Sequence, residues 1–283
     1  TGHGPQQVGA QPSWRKSDAT PAAMVVAPVT FAPASQAVTR YNEPVEAPPH
    51  SPLGDATLAA VREAAVKAGM APPIADARLF EACTELAQIV PEEGIVGYSL
   101  VEFALQRNGI IEPSPHLLVV WGDVTAADQI VEQLRPRIPE ILADGTNSRV
   151  GIGWAKRAPD GTGAIVFALQ GSGVTTNPIP RSLPAGGSVT IDTVIDSHYQ
   201  EPEAFVTREN GATEQLALQT GHSGGFKTTV ACGKHVGRQQ VEISASNAAG
   251  STVLANFPVW CAAEPPLTMR IEPTHDDDTV VPD

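Results

Sequence analysis

The chain is short of positive charge: 18 Lys and Arg stand against 31 Asp and Glu, giving a net charge of -13. A polyanion such as DNA would be repelled by that summed field rather than steered in, so nucleic acid is excluded as a partner. No apolar run approaches the ~18 to 20 residues that a membrane-crossing helix needs, so the chain is not expected to span a bilayer. Cysteine is also scarce, and three residues are too few for a disulfide-stapled mini-protein. Their placement is informative: Cys83 lies in a helical pattern, whereas Cys232 and Cys261 both end apolar runs in the last third of the sequence. A Cys232–Cys261 bridge is the favoured reading and implies an oxidising compartment. The alternative is three unpaired, buried, inert thiols of the kind a cytosolic protein tolerates.

What is present is length. At 283 residues the chain can form two ordinary domains plus linkers. It begins at Thr1 rather than Met, as after removal of a signal peptide or trimming of a longer chain, and a lipid anchor ahead of Thr1 is compatible with the sequence. Residues 1–52 are rich in Pro, Ala, Gly, Gln and Thr without a sustained period, which predicts an extended arm or linker. One apolar piece, Ala22 to Phe31, is suited to docking on a partner or on the protein body; the alternative is a loosely attached leader.

From Leu53 the texture changes. Leu58, Val61, Ala65 and Val66 recur at helical spacing, with Gly69 as the stop. Asp76 is placed to cap a second helix with Leu79, Cys83, Leu86, Ala87 and Val90 on one face. Ser99 and Glu102 have capping-box spacing, and Asn108–Gly109 would close the helix they open. His116–Trp121 reads as a buried strand, and Thr125–Asp128 as a cap for a helix that Pro136 and Pro139 interrupt. Val150, Ile152 and Trp154 then alternate on one face, Pro159-Asp160-Gly161 turns, and Ile165, Phe167 and Leu169 alternate on the return, predicting a β-hairpin. After a Gly/Ser/Thr/Pro connector at 171–187 the helical period vanishes. Short runs at 188–195, 204–208, 214–219 and 226–232, then 241–251 and 253–259, predict a β-sandwich.

With these elements placed, residues 53–170 resemble the CAP superfamily, which contains cysteine-rich secretory proteins, venom allergens and plant pathogenesis-related proteins. The resemblance is carried by Val61–Gly69 with Pro72 and Pro73, by Asp76–Leu79 with Ala82-Cys83 and Leu86-Ala87, and by Arg149–Gly153 with Asp160-Gly161 in the turn. It implies an α-β-α sandwich and export from the cytoplasm. Many members of that family hold a divalent metal between two His and two Glu. Here Leu86 stands where the first His would be, Ile138-Pro139-Glu140 occupies the region of the second, and no counterpart of the glutamate-bearing segment stands near Gly97-Tyr98. The expectation is therefore a degenerate scaffold with no metal and no cofactor. Residues 181–264 resemble the immunoglobulin-like or fibronectin-like sandwiches of bacterial surface proteins, chiefly through Val241–Ser251 and the approach to Trp260-Cys261. That resemblance implies architecture alone.

The fold class read from the sequence is thus α+β: an arm at 1–52, a CAP-like α-β-α sandwich at 53–170, a linker at 171–180, an all-β immunoglobulin-like sandwich at 181–264 and an acidic tail at 265–283. Few groups suggest chemistry. His116 could act as a ligand or base with Asp123 or Glu102, yet a lone His is more often structural. Gly221-His222-Ser223-Gly224-Gly225 has the letters of a nucleophile elbow without a following helix, so it reads as a glycine-rich turn. His222 and His235 could share a metal with Asp residues, but the sequence does not set their geometry. Asp276–Asp278 lacks the loop of a calcium site, and Gly171-Ser172-Gly173 lacks the helix of a phosphate cradle. The expected function is a non-catalytic, exported bacterial protein of the periplasm, outer membrane or cell surface. It would serve as a structural or protein-binding component of an envelope assembly, with the N-terminal arm as one route of contact. The alternatives are a divergent CAP-type metal-dependent hydrolase using His116, or a carrier of a small apolar ligand.

Overall fold

Ser51 and Pro52 begin the helical part of the chain in the computed structural model. The structure describes residues 29–271 apart from 93–95, 114, 144–146 and 222–224. The expectations placed on residues 22–28, on His222, Ser223 and Gly224, and on Asp276–Asp278 lie outside those residues. Thr30–Met269 is one compact unit; Val29 and Arg270–Ile271 belong, with the chain ends, to a second. Short strands β1 (Val29–Phe31) and β17 (Met269–Ile271) stand at the two ends of the described chain.

Helix α1 (Pro52–Lys67) starts where the Ser51 hydroxyl accepts the Gly54 N–H at 3.1 Å and Pro52 supplies a preset φ at the first turn. It buries Leu53, Thr57, Ala60, Val61 and Ala65, while Val66 falls off that stripe and is exposed. At its end Gly69 takes φ +71° and the Met70 N–H reaches Ala65 O at 2.9 Å, closing the last turn. Strand β3 (Ile74–Ala75) leads to α2 (Ala77–Ala87), capped by Asp76 as its position predicts. In α3 (Tyr98–Arg107), however, the expected Ser99/Glu102 capping box does not form. The helix starts at Tyr98 with Gly97 as an N-cap that makes no side-chain bond. Likewise, Thr125 does not cap α4 (Ala127–Leu134). Its N–H and hydroxyl both donate to Asp123 Oδ1, at 2.9 and 2.7 Å, so a local Asx turn consumes the group that the spacing assigned to the helix. Helix α5 (Ile138–Leu142) carries Pro139 in its first turn.

Strands β4 (His116–Asp123), β5 (Asn147–Lys156) and β6 (Thr162–Gly171) join β3 in a sheet of order β3-β5-β6-β4. The hairpin is formed about the expected turn: Val150 faces Leu169, Ile152 faces Phe167 and Trp154 faces Ile165, with Gly161 at φ +99°. These residues pack on α1, α4 and α5. On the opposite face Gly151 and Gly153 let α2 lie directly against the sheet; a Cβ on Gly153 would stand 2.0 Å from Thr84 N. Helices therefore cover both faces, and the class is mixed α and β. Strand β4 is a correction to the expected buried strand. It is the sheet's edge, half-buried along its middle and exposed at both ends, because an apolar run does not by itself distinguish an inner strand from an edge.

The remaining strands are β7 (Val174–Thr176), β8 (Ile179–Pro180), β9 (Ser182–Leu183), β10 (Ser188–Ile195), β11 (Gln200–Thr207), β12 (Thr213–Gln215), β13 (Gln219–Thr220), β14 (Phe226–Ala231), β15 (Gly237–Asn247) and β16 (Gly250–Cys261). All of these but β8 form two sheets, β13-β14-β10-β7 and β12-β11-β15-β16-β9, over one apolar core that includes Ile191, Val230, Val206, Ile243 and Phe257. The run expected at 214–219 is split between the two sheets. The predicted disulfide is formed: Cys232, just past β14, bonds Cys261 at the end of β16, so it clips one sheet to the other. With the cysteines 29 positions apart, the joint Cys232→Ser and Cys261→Ser variant should lose roughly 3 to 4 kcal/mol of stability by loop-closure entropy, read as a lower urea midpoint.

Part of the expected arm is built into the body. Strand β2 (Arg40–Tyr41) pairs with β8, and Tyr41 is wholly buried in the sandwich core, its hydroxyl donating to Pro258 O at 2.8 Å. On the other side of the same segment Val38 N–H donates to Arg107 O and Asn42 N–H to Gly109 O, at 3.0 and 2.9 Å. Residues 38–42 thus strap the helical part to the sandwich. The connector expected at 171–180 also carries structure, since β7 joins the sandwich through β10.

Candidate functional site

Where β3 enters α2, Asp76 gathers two guanidinium groups. Its Oδ1 accepts from Arg78 N and Nε at 2.9 and 3.1 Å, and its Oδ2 accepts from Arg78 Nη2 at 2.7 Å and Arg149 Nη1 at 3.1 Å. Arg149 projects from β5 on the face opposite Val150, and its other terminal nitrogen reaches both Glu112 Oε1 and Gln170 Oε1. Ser172, just past β6, donates to the same Glu112 oxygen at 2.8 Å. The Asp76, Glu112 and Arg149 side chains are 5%, 2% and 7% exposed, so each charge depends on its partners rather than on water. Burial works to push the Asp76 carboxyl up, but the bonds and charges of Arg78 and Arg149 outweigh it and hold it below the usual range. Arg149 is shifted up: the adjacent Glu112 and Asp76 charges overcome the burial that disfavours its cation.

This network floors a cleft of about 410 Å³. One wall is the exposed segment 43–47, and others come from β3, the start of α2 and β7. Asn42 fixes the corner, accepting from Arg78 Nη1 at 3.1 Å and donating to Thr176 Oγ1 at 2.9 Å. Val45 and Ile74, at 48% and 67% exposure, put bare apolar surface at the mouth. Two buried atoms in the floor, Glu112 Oε2 and Arg149 Nε, have no hydrogen-bond partner among the described residues. Chemically, the floor is a set of charges bound to one another. Both Asp76 oxygens and Glu112 Oε1 are engaged by guanidinium or hydroxyl donors, which fixes the floor and leaves Glu112 Oε2 as its one unbonded carboxylate oxygen among the described residues.

A second buried ion pair lies between α2 and α3. Arg107 Nε donates to both Glu85 oxygens at 2.9 and 3.0 Å, Asn108 Nδ2 donates to Glu85 Oε2 at 3.1 Å, and the Ser35 hydroxyl bonds Glu85 Oε1. The whole pair is inside the protein and opens on no described cleft. Beside the sandwich, Arg208, Glu209, Asn210, His235, Val236 and Gln239 line a smaller cleft of about 340 Å³.

The residues singled out from the sequence fall elsewhere. His116 and Asp123 are the first and last residues of β4, seven steps and roughly 23 Å apart at 3.3 Å per residue, so the strand holds them away from each other. Glu102 lies within α3. Cys83 is unpaired and fully buried against the sheet, and burial pushes its thiol up, as suits an inert core residue. Among the described residues no group of three or more His, Cys, Asp or Glu is placed to hold a metal ion. No helix of the described residues is long and apolar enough to cross a membrane. The cleft itself was not anticipated. In the sequence Asp76 reads as a cap and, with Arg149, as part of the family resemblance, while Glu112 comes from a separate segment. The available signal was an Arg at the head of the apolar run Arg149-Val-Gly-Ile-Gly153, where a strand flanked by helices on both faces must pair a charge internally.

No family model and no curated protein matches the chain. Among solved structures, a DUF4785 family protein from Legionella pneumophila subsp. pneumophila str. Philadelphia 1 is similar over part of its length, at 12% identity and a TM-score of 0.25. The match covers 38% of this chain, which spans about a third (35%) of the length of that one.

Proposed function

We propose that this chain is a non-catalytic binding component of an exported bacterial assembly, in which a degenerate CAP-like layer and an immunoglobulin-like sandwich present a cleft to other proteins. The observation that carries the reading is the Asp76–Arg149–Glu112 network, in which both Asp76 oxygens and Glu112 Oε1 are taken up by guanidinium and hydroxyl donors of the protein itself. Helices on both faces of the β3-β5-β6-β4 sheet support the α-β-α resemblance. Two sheets over one core, clipped by a disulfide, support the immunoglobulin-like one and residence in an oxidising compartment such as the periplasm or cell surface. Size-exclusion chromatography with crosslinking on native envelope extracts tests the proposal: the protein should elute with partners. A lone monomer that forms no crosslinks overturns it, and so does stoichiometric zinc that disappears in His116→Ala.

A further inference from the structure

We infer that the cleft beneath Val45 and Ile74 takes an extended, cationic peptide segment of another protein, laid beside strand edges that the fold leaves open. This deepens the binding reading above and rests on it. Two sheets end at the cleft. β3 is the last strand of one and β7 the last strand of the other, and both line it. The opposite wall, Glu43–Ala47, is exposed, and among the described residues its backbone makes no hydrogen bond to other backbone. Open backbone of this kind recruits a further strand, because the added chain's N–H and C=O groups complete the ladder. A strand also alternates its side chains, so every second one can cover the bare surface of Val45 and Ile74. The volume, about 410 Å³, is within the ~300 to 1,000 Å³ usual for ligand sites and suits a few residues rather than a folded domain.

Charge selects the peptide. Four carboxylates line the cleft, from Glu43, Glu46, Asp76 and Glu112, against the two guanidinium groups of Arg78 and Arg149. Both guanidinium groups are already held by Asp76 and Glu112. The surplus is therefore negative and sits at the exposed wall, on Glu43 and Glu46, within a chain of net charge -13. In the floor, the partnerless Glu112 Oε2 leaves one buried acceptor unspent in the same cleft. Such a field steers in Lys- or Arg-bearing segments and disfavours acidic ones.

The test is fluorescence polarisation of the full chain with labelled Lys-Val-Lys-Val-Lys. It is compared with Glu-Val-Glu-Val-Glu and with the cationic peptide N-methylated at both Val. The cationic peptide should bind, each control should bind at least roughly tenfold more weakly, and Glu43→Lys with Glu46→Lys, or Ile74→Asp, should weaken the cationic peptide by a similar factor. These positions are exposed, so an unchanged melting temperature verifies that each variant is folded. No binding of the cationic peptide at about 1 mM, equal binding of the acidic one, or indifference to N-methylation or to the variants overturns the inference. The broader reading is judged separately. Partners crosslinked in native extracts only through surfaces remote from Val45 and Ile74 overturn this site and leave the binding role standing, whereas a lone monomer removes both.

Discussion

Arg149→Ala should lower the unfolding free energy by about 3 to 5 kcal/mol, because it removes the cation that two buried carboxylates share. Asp76 would keep Arg78, but Glu112, 2% exposed, would keep only the Ser172 hydroxyl on one oxygen and nothing on the other. Arg149→Lys should recover little, since an ammonium cannot reach Asp76, Glu112 and Gln170 together as the guanidinium fork does. The sign of the pH dependence separates this account from a loss of packing. In the native protein the Asp76 carboxyl is held below its ordinary range, so its contribution is complete above an unfolded pKa of about 3.9 and is lost as pH falls through the folded value. The gap between native and variant should therefore be full near neutral pH and narrow only as pH falls below about 3.9 in urea titrations. A gap that is flat with pH would assign the loss to the cavity instead.

The features legible in the sequence were local ones. The β5–β6 hairpin could be read because its period of two and its Pro-Asp-Gly turn lie within 21 contiguous residues, and Asp76 because a cap acts on a neighbour two residues on. The disulfide could be read because both cysteines end apolar runs, which become β14 and β16. Reading failed where a residue had two local options or a distant partner. Thr125 and Ser99 have cap spacing, yet Thr125 is taken by Asp123 and α3 begins at Tyr98, ahead of Ser99. The edge position of β4 depends on what lies beside the strand, which its own residues do not encode. The cleft was hidden for the same reason, since Asp76 and Arg149 stand 73 residues apart and meet only through the parallel pairing of β3 with β5. Tyr41 was the least legible, a single aromatic in a Pro-rich stretch whose strand partner and whose hydroxyl's acceptor both lie more than 130 residues away.

Tyr41→Ala should cost about 3 to 5 kcal/mol, the range for emptying a large aromatic from a core, although the residue sits in a segment that composition marks as unstructured. Its ring lies 5.0 Å from Phe257 and under Arg181, and its hydroxyl is bonded to Pro258 O, so Tyr41→Phe should also cost about 1 to 3 kcal/mol for the acceptor left bare. Burial pushes the Tyr41 phenol up to about 12, from 10.0. The unfolded chain therefore releases this proton first, and the stabilisation is intact below about pH 10 and lost progressively toward pH 12, up to roughly 2.7 kcal/mol for two pH units. Alkaline denaturation of the native protein should show that loss, and Tyr41→Phe should lack it. Because Asn42, the next residue, anchors the corner of the cleft to Arg78 and Thr176, loosening this plug releases the Glu43–Ala47 wall as well. Tyr41→Ala should thus weaken the cationic peptide even at temperatures where the protein remains folded, whereas Cys232→Ser with Cys261→Ser, which loosens the sandwich at positions outside the cleft lining, should leave that affinity unchanged under the same conditions.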